Sequence, residues 1–151
     1  MGVYNFTVDL PNAERVVDKF EKLMQVVGYK TLRAPNYCFP DWDIKAWQPL
    51  SNVEMTFEVK YDEMSAKTGN VAIEYESRGK LSGISTTTAK YWVQYFDNAY
   101  HSVLVSVLKQ ELPEISHRKV VGGDAGSNTK MYLIRKEKFK EICVNTIEDK
   151  S

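Results

Sequence analysis

Cysteine and histidine are scarce in this sequence of 151 residues, which contains two of each. The cysteines, Cys38 and Cys143, form no CxxC pair, and the two histidines form no HxxxH pair. This spacing argues against a zinc enzyme. Two cysteines also cannot supply the disulfide framework of a small secreted protein.

The chain also has no net charge, because 20 basic residues balance 20 acidic ones. No global field therefore indicates nucleic acid, and any attraction to phosphate must come from a local patch. No stretch approaches the roughly 20 apolar residues of a membrane-spanning helix, and the N-terminus lacks the pattern of a secretory signal. We expect a cytoplasmic protein with no membrane partner.

Repeats, low-complexity tracts and long linkers are absent from the sequence. Hydrophobic residues make up 43% of the chain, which is enough for a proper core. We therefore expect a single domain spanning residues 1–151.

The first periodic segment predicts a helix of about four turns. Asn12 is its expected N-cap, and Gly28 is its expected end. The apolar residues that recur at helical spacing are Ala13, Val16, Val17, Phe20, Leu23, Met24 and Val27.

The period then changes to the two-residue alternation of β-strands, in residues 41–47, 52–60 and 70–77. Thr-Gly-Asn at 68–70 is typical of a hairpin turn, so we expect these strands to form a three-stranded meander. Residues 84–96 predict a short helix followed by a strand.

The remaining segments complete an α/β (α+β) chain with a mixed central sheet flanked by helices. Residues 102–115 fit either a strand or the start of a helix. Residues 131–135 predict a strand, and residues 136–147 predict a closing helix.

Three charged residues carry the predicted chemistry. Asp41 begins one strand, and Glu58 and Lys60 share one face of the next. Two carboxylates without cysteine or histidine form a hard oxygen site, which suits Mg²⁺ or Mn²⁺. An ion held in this way can acidify a bound water, and a nearby lysine can stabilise developing negative charge. The pattern predicts phosphodiester hydrolysis.

The order Pro40-Asp41 followed by Glu58-Val59-Lys60 resembles the signature of the PD-(D/E)XK nuclease superfamily. This superfamily includes type II restriction enzymes, RecB-like nucleases and archaeal-type Holliday junction resolvases. The resemblance implies a restriction-endonuclease-like core of a helix, a three-stranded meander, a helix and a strand. It also implies that Asp41 and Glu58 are metal ligands, that the Val59 carbonyl is a further ligand, and that Lys60 is the catalytic lysine.

Superfamily members often add a carboxylate from the first helix, and Glu14 is the choice here, with Glu21 in reserve. A carboxylate in the first turn also favours the helix dipole, so a purely structural role for Glu14 is the alternative. Asp43 and Glu76 can also face the site, but we do not predict them as ligands.

Residues 57–92 are similar to the central segment of small nuclease-like proteins often encoded by bacteriophages. The shared runs are "EYESRGK", a following "SGI" and an aromatic "YW". The resemblance implies that the protein processes viral DNA or attacks host DNA, in the cytoplasm of the host cell.

A phosphate-contacting patch is predicted directly after the third strand. Arg78 and Lys80 supply positive charge, and Ser85 and Thr86 supply hydroxyls and helix-start amides. An ordinary solvated turn and a helix cap are the alternative reading of these residues. The aromatic residues Trp42, Trp47, Tyr91, Trp92 and Tyr95 are assigned to core packing, since aromatics at strand spacing usually fill the core.

The primary hypothesis is a Mg²⁺-dependent endodeoxyribonuclease that acts in DNA processing, recombination or degradation. The expected partner is DNA, with RNA left open, and a homodimer would allow so short a chain to cut both strands. A small core leaves little surface for reading a long sequence, which favours structure-selective or nonspecific cutting. The alternatives are a catalytically inactive nuclease-fold module that binds nucleic acid or a protein partner, and a structural or regulatory phage protein.

Overall fold

The computed structural model describes residues 6–36, 39–62, 65–122 and 126–150. Cys38 lies outside these ranges. In chain order, the elements are α1 Phe6–Val26, β1 Lys30–Arg33, β2 Ile44–Trp47, β3 Glu54–Tyr61, α2 Ser65–Thr68, β4 Asn70–Ser77, β5 Lys80–Leu81, a 3₁₀ turn Gly83–Ser85, β6 Tyr91–Phe96, β7 Ala99–Leu104, α3 Val105–Ile115, β8 Ser116–Gly122, β9 Thr129–Arg135, α4 Lys136–Ile142 and β10 Asn145–Glu148.

A six-stranded mixed sheet forms the centre of the fold, with the strand order β1-β2-β3-β6-β7-β10. The pair β3 and β6 is parallel, and every other pair in this sheet is antiparallel. The expected mixed central sheet is therefore confirmed. One face packs against α1 through buried side chains, namely Val16, Phe20 and Met24 of the helix and Ile44, Ala46, Phe57, Val59, Val93 and Tyr100 of the sheet.

The three-stranded meander is present, but its strands are β1, β2 and β3. The prediction that residues 70–77 form its third strand was wrong, because β4 belongs to a second, antiparallel sheet with the order β5-β4-β9-β8. Asp62 explains the change of sheet, since its carboxylate accepts hydrogen bonds from the amides of Ser65 (3.1 Å) and Ala72 (2.9 Å). These bonds support the short helix α2 in place of a hairpin.

The first helix is longer than predicted, because it begins at Phe6 and Asn12 is therefore not its N-cap. The side chain of Asn12 accepts a hydrogen bond from Arg15 instead. The predicted end of the helix is confirmed. Gly28 has φ of 104°, its amide bonds to Gln25, and the next amide bonds to Met24, as in a Schellman motif.

Later segments differ in detail from the prediction. The short helix and strand expected in 84–96 are the 3₁₀ turn and β6. The ambiguous segment 102–115 contains both alternatives, since β7 ends at Leu104 and α3 follows at once. The closing helix is shorter than expected, because α4 ends at Ile142 and β10 then pairs with β7.

The second face of the central sheet is covered near β6 and β7. There Trp92, Phe96 and Val103 pack against α3, α4 and the second sheet. Within the described residues, no helix is long and apolar enough to cross a membrane.

Candidate active site

The structure brings Glu58 and Lys60 together on β3. Their neighbours Phe57 and Val59 pack toward α1, so the alternation of the strand sends Glu58 and Lys60 to the opposite face. Glu58 is buried, with 7% exposure, and its Oε1 lies 3.5 Å from the Nζ of Lys60. The lysine side chain is 37% exposed, so a substrate can reach it.

Asp43 is the second carboxylate at this position. It directly precedes β2, whose first residue, Ile44, pairs with Phe57, so Asp43 lies beside Glu58. Its Oδ2 accepts a 2.7 Å hydrogen bond from the amide of Val59, and its own amide donates to the carbonyl of Phe57 at 2.8 Å. Asp43 is therefore fixed against β3 and forms an acid pair with Glu58, although the sequence analysis did not select Asp43 as a ligand.

Asp41 holds the edge of the site through its main chain. Its carbonyl accepts hydrogen bonds from the Thr87 hydroxyl (2.7 Å) and from the amides of Thr88 (3.0 Å) and Ala89 (3.1 Å). Thr87 also contacts the acid pair, because its Oγ1 lies 3.4 Å from Oε2 of Glu58. The loop before β2 is thus joined to the loop before β6.

Burial and neighbouring charge perturb the acid pair. Desolvation raises the pKa of Glu58 from its ordinary value of 4.5 to about 7; Asp43 adds to this effect, and Lys60 partly opposes it. For Lys60, burial lowers the pKa, but the carboxylates of Glu58, Asp43 and Glu74 outweigh it and raise the pKa. The lysine is therefore a cation at neutral pH. Its Nζ also lies 5.7 Å from the centroid of the Trp92 ring, within reach of a cation–π contact.

A glycine positions the loop that contacts Glu58. Gly83 has φ of +54°, and a Cβ at this position would lie 2.2 Å from the carbonyl oxygen of Glu74. The amides of Thr86 and Thr87 both donate to the carbonyl of Gly83, at 3.1 and 3.0 Å. The close approach of Gly83 to β4 therefore sets the position from which Thr87 meets Glu58.

The donors present fit a divalent cation that keeps part of its water shell. In a strand, the N–H and C=O of one residue point to the same neighbour, so the Val59 carbonyl lies on the side of Asp43. Two carboxylates and one carbonyl suit Mg²⁺, which usually retains several waters. Burial and the charge of Asp43 both disfavour the ionised form of Glu58, and a bound cation would stabilise that form. Within the four described ranges, no group of three or more His, Cys, Asp or Glu side chains is arranged to hold a metal ion.

The first-helix carboxylates lie away from the acid pair. Glu14 is exposed on α1, which packs against the opposite sheet face from Glu58. Glu21, the reserve, accepts hydrogen bonds from the Thr31 hydroxyl (2.6 Å) and from Arg33 (3.5 Å). The predicted catalytic role of Glu14 stays a prediction.

The predicted phosphate contacts lie at two places. Arg78 and Lys80 are exposed in the tight β4–β5 hairpin, where Arg78 has a positive φ of 54°. Ser85 and Thr86 belong to the turn that positions the loop at the acid pair, and Ser85 is exposed. Glu76 forms a 2.8 Å ion pair with Lys130 on the second sheet.

The aromatic residues divide into two groups. Trp92 is fully buried in the core, and Tyr91 and Tyr95 pack against the α1 cluster, so the packing assignment is confirmed for these three. Trp42 and Trp47 are half-buried and lie outside the hydrophobic core clusters of the described residues.

No protein family model and no curated protein matches this sequence. Among solved structures, the chain is similar to the 1.6 Å structure of Hjc, a Holliday junction resolvase from the archaeal hyperthermophile Archaeoglobus fulgidus. The two share 12% sequence identity with a TM-score of 0.52, and the match covers 89% of this chain and 91% of Hjc. At this level of identity, the similarity concerns the fold. The chain therefore has a restriction-endonuclease-like fold, as in Hjc.

Proposed function

We propose that the protein is a divalent-metal-dependent endonuclease that hydrolyses DNA phosphodiester bonds in recombination or related DNA processing. The observation that carries this proposal is the group of Glu58, Lys60 and Asp43, where a buried carboxylate of raised pKa lies beside a second carboxylate and a cation. The fold, which this chain shares with a Holliday junction resolvase, supports the same assignment.

Asp43 and Glu58, with the Val59 carbonyl, are the residues that would hold Mg²⁺ or Mn²⁺. The proposal gives Asp43 the ligand role that the sequence analysis assigned to Asp41, because Asp43 is fixed beside Glu58 and Asp41 acts through its carbonyl. A cation bound here supplies an acidified water and neutralises charge on the scissile phosphate.

Lys60 acts as a fixed positive charge. Since its pKa is raised, it is protonated at neutral pH and does not serve as a general base there. Its partly exposed ammonium group can instead stabilise the negative charge that develops on the phosphate oxygens. Thr87 helps to hold the Glu58 side chain in position through Oε2, the carboxylate oxygen that does not face Lys60.

The proposed substrate is branched or otherwise discontinuous DNA, since a small core offers little surface for sequence reading in a major groove. Arg78, Lys80, Ser85 and Thr86 are proposed to contact backbone phosphates. A homodimer is proposed for cutting both strands.

A cleavage panel tests the proposal. Linear, circular, single-stranded and four-way-junction DNA and RNA are incubated with Mg²⁺, Mn²⁺ or EDTA, using the wild type, Lys60→Ala, Asp43→Asn and Glu58→Gln. Lys130→Ala is the matched control, because Lys130 forms its ion pair on the second sheet. We expect metal-dependent cutting of DNA by the wild type and the control, and loss of cutting in the three site variants. Equal cutting by wild type and Lys60→Ala would overturn the assignment.

One observation favours a second candidate, a nuclease-fold module that binds nucleic acid without cutting. Within the described residues, the side chains do not form a three-ligand metal cluster of His, Cys, Asp or Glu. This candidate predicts binding that EDTA does not change and no cleavage with any cation in the panel.

A further inference from the structure

The sheet face that carries Glu58 and Lys60 is covered only in part. Near β6 and β7 it packs beneath α3, α4 and the second sheet through Trp92, Phe96 and Val103. Glu58 of the acid pair lies on β3, next to β6, at the border of this covered half.

Across β1 and β2, the same face keeps its contact with solvent. Ile44 and Ala46 are buried toward α1, so Lys45 and Trp47 point to the other face. Both are half-buried, and Leu32, which pairs with Lys45 from β1, is 52% exposed. An open sheet surface therefore extends from the edge strand to the acid pair.

Two lysines lie on this surface. Lys45 pairs with Thr56 on β3, and Lys30, which is exposed, lies on the same face by strand register. The Thr56 hydroxyl accepts a 2.9 Å hydrogen bond from the amide of Lys90, whose Nζ lies 5.5 Å from the centroid of the Tyr91 ring. The acids of this face are Glu54, which lies 3.5 Å from Lys45, and the acid pair at the border of the surface. Lys30 and Lys45 therefore supply the positive charge of the β1 and β2 part of the surface.

Trp42 meets this surface through Lys45 and lies between Asp41 and Asp43 in the sequence. The Nζ of Lys45 lies 5.1 Å from the centroid of its ring, and the ring of Phe39 meets it edge-on at 5.2 Å with an interplanar angle of 78°. A half-buried indole supported by an aromatic edge and a lysine is already ordered for stacking. Packing in the core does not account for it, since Trp42 is outside the described core clusters.

This combination of aromatics and lysines is suited to single-stranded nucleic acid. Bases within a duplex already stack on each other, so an indole face can take up only an unpaired base. Lysines spaced across an open sheet can follow the phosphates of such a strand. Trp42 directly precedes Asp43, so one peptide bond joins the residue of this indole to the acid pair.

We propose that this lysine–tryptophan surface binds an unpaired, single-stranded segment of the substrate and guides it to the acid pair. The surface is formed by Lys30, Leu32, Trp42, Lys45, Trp47 and Thr56. The inference rests on the proposed nuclease function, because it names the substrate class of the same site. Cutting is then directed to the boundary between duplex and single strand.

Binding measured without cleavage tests this surface. Fluorescence anisotropy compares a labelled oligothymidylate with a duplex of equal length, in EDTA, for the wild type, Trp42→Ala, Trp42→Tyr and Lys45→Ala. Stacking contributes about 1–3 kcal/mol per base, so Trp42→Ala should weaken single-strand binding about 5- to 150-fold, with duplex binding changed less than about twofold. Trp42→Tyr keeps an aromatic face and should restore most of the affinity.

Two further variants keep the test decisive. Lys45→Ala should reduce the slope of log affinity against log salt by about 0.7, as expected when one phosphate contact to a single strand is lost. Lys119→Ala is the matched control, since its Nζ lies 5.2 Å from the Tyr132 ring on the second sheet, and it should leave single-strand binding unchanged. If Trp42→Ala does not fold, the Lys45→Ala slope decides the question.

The outcomes separate this inference from the nuclease proposal. Weakened single-strand binding in Trp42→Ala supports the surface even if the wild type cuts nothing with any cation. Unchanged single-strand binding in Trp42→Ala, or equal losses for single strand and duplex, overturns the surface even if the wild type cuts DNA.

Discussion

Replacement of the buried Glu58 by glutamine should stabilise the protein at neutral pH when divalent cations are absent. Desolvation, with a contribution from Asp43, holds the pKa of Glu58 near 7, against an ordinary value of 4.5. Between these two pH values the unfolded chain releases the proton while the folded chain keeps it. The stability that is present below pH 4.5 is therefore lost as the pH rises through 7.

The size of this effect follows from the pKa. A change from 4.5 to about 7 corresponds to about 3 kcal/mol, at roughly 1.4 kcal/mol for each pKa unit. The attraction of Lys60 is already contained in this pKa, so it needs no separate deduction. Glutamine has nearly the same shape and remains neutral, so Glu58→Gln avoids the loss. For a domain of this size, 3 kcal/mol corresponds to roughly 6–12 °C in melting temperature.

Urea unfolding in EDTA, from pH 4.5 to pH 8, measures the difference between the wild type and Glu58→Gln. We expect the two unfolding free energies to be close at pH 4.5 and to diverge to about 3 kcal/mol at pH 8, with the variant the more stable. Glu54→Gln is the matched control on the same strand; Glu54 is exposed, so its curve should stay parallel to the wild type. A constant difference between wild type and Glu58→Gln across this pH range would refute the reasoning.

Three further predictions follow from the geometry of the site. Asp43→Asn should abolish metal-dependent cleavage while keeping the hydrogen bond to the Val59 amide. Asp41→Asn leaves the main-chain carbonyl intact, so its cleavage rate should stay within about fivefold of wild type. Equal losses of the cleavage rate in the two variants would contradict the ligand assignment. Gly83→Ala should destabilise the fold by roughly 2 kcal/mol or more in urea unfolding, because its Cβ would overlap β4. Gly79 also has a positive φ but has open space around it, so Gly79→Ala should lower the free energy of unfolding by only about 1 kcal/mol. Equal losses in the two variants would show that the overlap at Gly83 is relieved. The cleavage rate should rise with pH, with a midpoint below 7 at saturating Mg²⁺, since a bound cation favours the ionised form of Glu58. A cleavage rate that falls as the pH rises would contradict the ligand role of Glu58.

Sequence periodicity predicted which segments form strands, but not which sheet each strand joins. Residues 70–77 alternate in the same way as β3, and only the pairing of β4 with β5 and β9 shows that the chain leaves the central sheet. The four-residue strands β1 and β10 are too short to produce a clear pattern. Local alternation is therefore informative about conformation and much less informative about long-range pairing.

The same distinction explains the site residues. Glu58 and Lys60 were predicted to share a face because a strand repeats every two residues. Asp41 and Asp43 both alternate with Trp42, so periodicity cannot choose between them as ligands. Our proposal of Asp43 rests on the pairing of Ile44 with Phe57, which places Asp43 beside Glu58. Trp42 precedes β2 and is half-buried outside the described core clusters, whereas Trp92 lies within β6 and is fully buried.

We propose that Lys60 and the acid pair cut DNA with the help of a divalent cation. The most direct measurement is single-turnover cleavage of a labelled four-way junction in Mg²⁺, by wild type, Lys60→Ala and Lys130→Ala, with circular dichroism to confirm that each is folded. The account predicts cutting by the wild type and Lys130→Ala, stopped by EDTA, and a loss of roughly 100-fold or more in Lys60→Ala. Cutting by a folded Lys60→Ala at the wild-type rate would contradict it.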